Sequence, residues 1–140
     1  MKGKLACVWL LACVCLAALS VAGCRREPSA ETVLAELDSF TTELLKRVND
    51  AADPSAGVDE AQKFLDARRA EMASKIAGVK KSGEFEQNEE LRRRMLESEI
   101  SNGAKVSGLQ TRYIRRSMDD EAFKEKLERL VNDYQLMFKV

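Results

Sequence analysis

Two hydrophobic patterns divide this chain. Residues 5–24 read LACVWLLACVCLAALSVAGC, apolar or small throughout and free of charge. From residue 29 onward, apolar positions recur every three or four residues with charged positions between them. That is the period of a helix with one buried face. Neither strand alternation nor a hairpin dipeptide between strand-like runs follows residue 24, so the expected fold class is all-α.

Four helices are expected. The first opens at Ser29, a good N-cap directly after Pro28, and carries Val33, Leu37, Phe40, Leu44 and Val48 inward, widened by Leu34 and Leu45. Asp53-Pro54-Ser55-Ala56-Gly57 reads as a turn. The second helix is expected from Val58 to Lys80, with Val58, Ala61, Phe64/Leu65, Met72, Ile76 and Val79 on its inner stripe. Lys80-Lys81-Ser82-Gly83 suits a C-terminus, with bases for the dipole and glycine for the C′ position. Arg68 falls on the same stripe. Either it is buried against a carboxylate of a neighbouring helix, or it lies at the boundary with its charged head in water; the second is preferred.

The third helix is expected from Glu84 to Arg115. Its apolar positions are Phe85, Leu91, Met95, Leu96, Ile100, Ala104, Val106, Leu109, Tyr113 and Ile114. Unbroken, it would run ~46 Å against ~30–35 Å for the others. Gly103 and Gly108 each cost ~1 kcal/mol in a helix interior. The helix therefore overshoots or kinks near Gly103 and Gly108, unless these small positions let a neighbour approach closely. Ser117 is the expected N-cap of the fourth helix, whose stripe is Phe123, Leu127, Leu130, Tyr134 and Met137/Phe138. Short connections make an antiparallel up-down-up-down four-helix bundle over residues 29–140 the expected architecture.

Composition narrows the chemistry. The chain has no histidine, which removes Ser-His-Asp and Cys-His sites, the usual nitrogen ligand of zinc, and the Glu-x-x-His of di-iron bundles. The layout is similar to that of the haem-binding four-helix cytochromes, but with no axial histidine no haem follows from it. Met72 and Met95 read as core filler. No phosphate-cradling Gly-rich loop is present. Asp50, Asp53, Asp59 and Glu60 lack the register of a calcium loop, and Glu86/Glu90 reads as exposed charge. No enzyme activity, cofactor or metal site is expected. The balance of 23 Lys+Arg against 23 Asp+Glu offers no basic surplus for nucleic acid.

Lys2 and Lys4 precede the apolar run, which ends Val21-Ala22-Gly23-Cys24. This resembles the lipobox signal peptide of bacterial lipoproteins, and the resemblance covers residues 1–24. It implies removal of residues 1–23, cleavage between Gly23 and Cys24, and acylation of Cys24 by a diacylglycerol thioether and commonly an amide-linked chain such as palmitate. At ~0.8 kcal/mol per buried CH₂, two or three chains make a stable membrane anchor. An uncleaved signal anchor and release by an ordinary signal peptidase are the alternatives weighed against it. Cleavage takes Lys+Arg from 23 to 21 against 23 Asp+Glu, a net charge of −2. Cys7, Cys13 and Cys15 would leave with the peptide. Residues 24–28 then form the lipidated cysteine and a short tether, Arg25 to Pro28 reaching ~14 Å. The absence of aspartate after Cys24 leans toward the outer membrane, facing the periplasm, rather than the inner membrane.

The resulting expectation is a cell-envelope interaction or structural protein. Arg68, Arg69, Arg92, Arg93, Arg94, Arg115 and Arg116 are the candidate docking residues, because arginine binds carboxylate and phosphate bidentately. Balanced surface charge is the plainer reading of each. The alternative function is a periplasmic module binding an apolar or amphipathic ligand between its helices, near the glycines of the third.

Overall fold

The computed structural model describes residues 29–139, so the lipobox, Cys24 and the tether lie outside the described residues. Those residues are helical with no strand among them. The elements are α1 (Ala30–Asn49), α2 (Pro54–Lys80), α3 (Gly83–Gln87), α4 (Glu89–Arg112), α5 (Ile114–Asp119) and α6 (Glu121–Gln135), closed by a 3-10 turn at Leu136–Phe138.

Capping explains where each long helix begins. Ser29 Oγ accepts from the Thr32 N–H at 3.3 Å, as expected for α1. α2 starts four residues earlier than expected. The Asp53 carboxylate accepts from the Ser55 and Ala56 N–H groups at 3.3 and 3.1 Å, and Pro54 takes the first helical position, where its missing N–H is no loss. The expected third helix is three helices. Ser82 caps α3 and Asn88 caps α4, its Oδ1 accepting from Leu91 N–H at 3.0 Å. α4 then continues without interruption through Gly103 and Gly108. The ladder breaks instead at Tyr113 (φ −103°, ψ 19°), and Gly83 opens α3 rather than closing α2. The cap of α6 is Asp120, which accepts from Phe123 N–H at 3.0 Å; Ser117 lies inside α5. A carboxylate puts full negative charge on the helix N-terminus, which a serine hydroxyl does not.

α1 packs against α2 and α4, and α6 packs against the same two. Cross-helix pairs give the register. Lys75 on Glu36 at 2.6 Å and the Arg47 guanidinium 4.6 Å from the Phe64 ring centre join α1 and α2 in opposite directions. Glu31–Arg94, Asp38–Asn102 and Asn49–Arg112 ascend together, so α1 and α4 run the same way. Asp59–Lys126 and Gln62–Asp133 do likewise for α2 and α6. α3 thus carries the chain from α2 across to the flank of α1.

The core is built from the expected stripes of α1, α2 and α6, with Leu91, Met95, Val106 and Leu109 from α4. Leu96, Ile100 and Ile114, expected on the stripe, are 57%, 62% and 56% exposed, while Asn102 is fully buried. The helical arithmetic of 91, 95, 102, 106 and 109 leaves Leu96 and Ile100 on the opposite side. Asn102 is tolerated inside because its Nδ2 donates to Asp38 Oδ1 at 2.7 Å and to Ser98 O at 3.0 Å.

Phe40 stacks between Phe64 and Tyr134, with centroids at 5.0 and 6.3 Å. Thr41 Oγ1 donates to Leu37 O at 2.8 Å, so across 2.6 Å it accepts from the Tyr134 hydroxyl. Burial pushes the Tyr134 phenol up from 10.0 to about 12; the Thr41 hydroxyl, able to turn toward a phenolate, pulls the other way. The raised acid form contributes stability that is complete below pH 10 and is lost as pH climbs through about 12. At 1.36 kcal/mol per unit this is roughly 2–3 kcal/mol. Tyr134→Phe should therefore be about 1 kcal/mol less stable than wild type at pH 8, for the lost hydrogen bond, yet equal or more stable at pH 12. Urea midpoints of both proteins across this range check it, and parallel curves would refute it.

Candidate functional site

The seven candidate arginines do not converge on one surface. Arg68 on α2 is exposed, its guanidinium 5.7 Å from the Phe64 ring centre, which is the boundary position preferred for it. Arg69 reaches Asp133 of α6 at 3.5 Å. Arg92 Nη1 donates to Phe85 O and Glu86 O at 3.1 and 2.6 Å, closing the end of α3. Arg93 bridges Glu90 and Glu97 on its own helix, and those hydrogen bonds raise its pKa. Arg94 grips Glu31 of α1 with both terminal nitrogens and holds that carboxyl below its usual range. Arg116 sits 4.9 Å from the Phe123 ring centre and donates to Asp53 at 3.1 Å. The same Asp53 carboxyl is lowered chiefly by the cap hydrogen bonds from Ala56 and Ser55. Arg115 is exposed and has no ion pair among the described residues. Four of the seven guanidiniums are therefore occupied in holding elements together, and a fifth, Arg93, is paired within its own helix.

A different set of cations comes together on the α1–α4 side. Lys105 and Arg112 lie at i and i+7 on one face of α4, and Arg115 follows in α5 beyond the break at Tyr113. The hydrogen bond from Arg112 to Asn49 Oδ1 brings the last turn of α1, which carries Lys46, against the end of α4. Lys46, Lys105, Arg112 and Arg115 are all exposed. None forms a salt bridge among the described residues. Lys105 instead donates to Asn102 Oδ1 at 3.3 Å. Residues 100–118 hold four basic residues and no acidic one. That run was visible in the sequence; its meeting with the end of α1 at Asn49 was not, because it depends on α1 and α4 being neighbours. Ile100 of α4 is exposed, and Ile114 and Met118, the latter at 80% exposure, line a cleft with Lys124, Leu127 and Glu128 of α6.

Clefts are found along the helix seams. A groove of about 720 Å³ runs beside α1, lined by Glu36, Ser39, Phe40, Glu43 and Arg68. Another of about 380 Å³ lies between the start of α1 and the end of α2, lined by Ala30, Lys75, Gly78 and Val79. Gly103 and Gly108 do not bring a neighbouring helix close, since a Cβ at either would meet only open space within 4 Å. No group of three His, Cys, Asp or Glu among the described residues could hold a metal ion. Asp59 binds Lys126 at 2.7 Å and Glu60 binds Lys63 at 2.7 Å. No helix among the described residues is long and apolar enough to cross a membrane. No protein-family model, curated protein or solved structure matches the chain.

Proposed function

We propose that this chain is a lipid-anchored protein of the bacterial cell envelope whose helical domain docks another envelope component and performs no catalysis. The observation that carries the reading is the charge-free run of residues 5–24 behind Lys2 and Lys4, ending Val21-Ala22-Gly23-Cys24. Within this reading Cys24 bears the lipid, residues 24–28 are the tether, and the outer membrane facing the periplasm is the site of attachment. The domain is read as an up-down-up-down bundle of α1, α2, α4 and α6 in which α1 opposes α2 while the packed pairs α1/α4 and α2/α6 run parallel, a departure from the antiparallel packing expected of neighbours. Short connections and the opposed run of α1 and α2 support that arrangement. Absence of histidine supports the non-catalytic reading, as does the use of Asp53, Asp59 and Glu60 in caps and pairs. A ligand held between the helices has less support: Tyr134, Phe123, Leu37 and Leu65 fill the interior, and the clefts open at the surface.

Cys24→Ser tests the anchor and the docking together. Wild type should sediment with membranes and resist salt extraction, while the variant should be recovered in the soluble fraction or as unprocessed precursor. Affinity capture from native membranes should yield one envelope component in near-equal amount with wild type and lose it with the variant. A variant that is still processed and equally membrane-bound would disprove the lipid anchor.

A further inference from the structure

We infer that Asn102–Gly103 is a deamidation site that the folded domain masks, and that its reaction turns an opening of α4 into a permanent one. The site lies within α4 and does not depend on a lipid anchor.

Of the asparagines Asn49, Asn88, Asn102 and Asn132, only Asn102 precedes a glycine; the others precede Asp50, Glu89 and Asp133. Glycine has no Cβ to keep its backbone nitrogen away from the preceding side chain. Once the helix is open, the Gly103 nitrogen attacks Asn102 Cγ. A C–N bond closes a five-membered succinimide and the Cγ–Nδ2 bond breaks. Nδ2 leaves as ammonia, taking the proton of the Gly103 N–H. Water then opens the ring at either carbonyl, leaving aspartate or isoaspartate. Packing does not require glycine here, since a Cβ at Gly103 would meet nothing within 4 Å.

Folding blocks the ring closure. Asn102 lies in the middle of α4, where helical dihedrals keep the Gly103 nitrogen in the backbone ladder and away from Cγ. The Asn102 side chain is fully buried and held at both ends. Its Nδ2 donates to Asp38 Oδ1 at 2.7 Å and to Ser98 O and Oγ at 3.0 and 3.2 Å. Its Oδ1 accepts from Lys105 Nζ at 3.3 Å. The same contacts make the reaction one-way for the fold. After it, a carboxylate oxygen replaces the amide donor that faced Asp38 and Ser98 O. Two carboxylates then share one buried position, and Lys105 is the one cation bonded there. Isoaspartate adds a further fault, because its extra main-chain carbon breaks the helical register. A copy whose α4 has opened long enough to react therefore does not close again on α1.

The test incubates the purified full chain at mildly alkaline pH, folded and in urea, and reads conversion at residue 102 by peptide mass spectrometry. Conversion should be at least ~100-fold slower in the folded protein, because the opened fraction of a stable protein is about 10⁻³ or less. Equal rates would overturn the masking. After removal of urea, unconverted chains should regain the original thermal transition and converted chains should not; converted chains that melt like wild type would overturn the one-way step. Gly103→Ala places its Cβ in open space. It should fold normally, convert far more slowly in urea and keep its refolding yield, and a yield that falls as fast as wild type would overturn the proposal. Asn102→Asp, the product made directly, should melt below wild type or fail to fold. Adding Asp38→Asn returns an amide–carboxylate pair with the roles exchanged and should restore much of the loss. No recovery in the double variant would overturn the part assigned to Asp38.

Discussion

Leu130→Asp is expected to leave the domain largely unfolded at room temperature. Leu130 is fully buried on α6, in the cluster formed with Leu127, Tyr134 and the α1 stripe. The substitution removes the burial of a leucine side chain, roughly 1.5–3 kcal/mol. It also strands a carboxyl where no cation can reach it, which costs about 3–5 kcal/mol more. A domain of this size has a total stability of about 5–15 kcal/mol. Part of the loss should be recovered at low pH, where the carboxyl is protonated. Loss of the cooperative thermal transition in circular dichroism is the readout. Leu136→Asp, at a position 50% exposed, is the control and should melt close to wild type. If both variants melt alike, the α6 stripe does not face the core.

Gly57→Val should cost several degrees of melting temperature although glycine is a poor helix former. Gly57 lies in the first turns of α2, pressed on the end of α1. A Cβ there would come within 2.8 Å of Ala51 Cβ, 2.9 Å of Arg47 O and 3.0 Å of Val48 O. Two of those neighbours are backbone, so the helix ends must move apart to admit it. Overpacking of this kind costs about 1–3 kcal/mol, against which a gain in helix propensity returns less than ~1 kcal/mol. The net loss, at roughly 4 °C or more per kcal/mol, is measurable by thermal melting. Gly78→Ala provides the contrast: a Cβ at Gly78 meets nothing within 4 Å, and the variant should gain about 1 kcal/mol. Opposite signs at the two glycines are the expected outcome, and equal signs would refute the close approach at Gly57.

The two glycines also show where the sequence misleads. Asp53-Pro54 followed by Gly57 has the composition of a turn, but the same residues are a cap, a first-turn proline and a contact point between helices. Distinguishing these requires knowing that α1 ends within 3 Å. The third helix illustrates the converse. Gly103 and Gly108 suggested a bend, yet exposed glycines inside a helix can be tolerated at ~1 kcal/mol each. The actual breaks fall at Asn88 and at Tyr113, which the apolar period had placed inside the helix. The arginine runs were visible, but their pairing was not. Arg94 reaches a glutamate, and Arg112 an asparagine, each 63 positions away.

By itself the sequence determined what acts within a turn or two. The all-helical class, the inward faces of α1, α2 and α6, and the caps at Ser29 and the end of α1 follow from apolar period and hydrogen bonding between near neighbours. Whether a polar residue may enter the core, which helix flanks which, and which cations remain unpaired were decided by tertiary structure. Asn102 is buried because Asp38 stands opposite it. Asn49 meets Arg112 because α3 delivers α4 to the side of α1 rather than along α2. Residues 81–88 specify a cap and a short helix, but not the direction in which α4 leaves them. That direction is selected by the summed burial of four stripes at once, a cooperative quantity that no local segment carries.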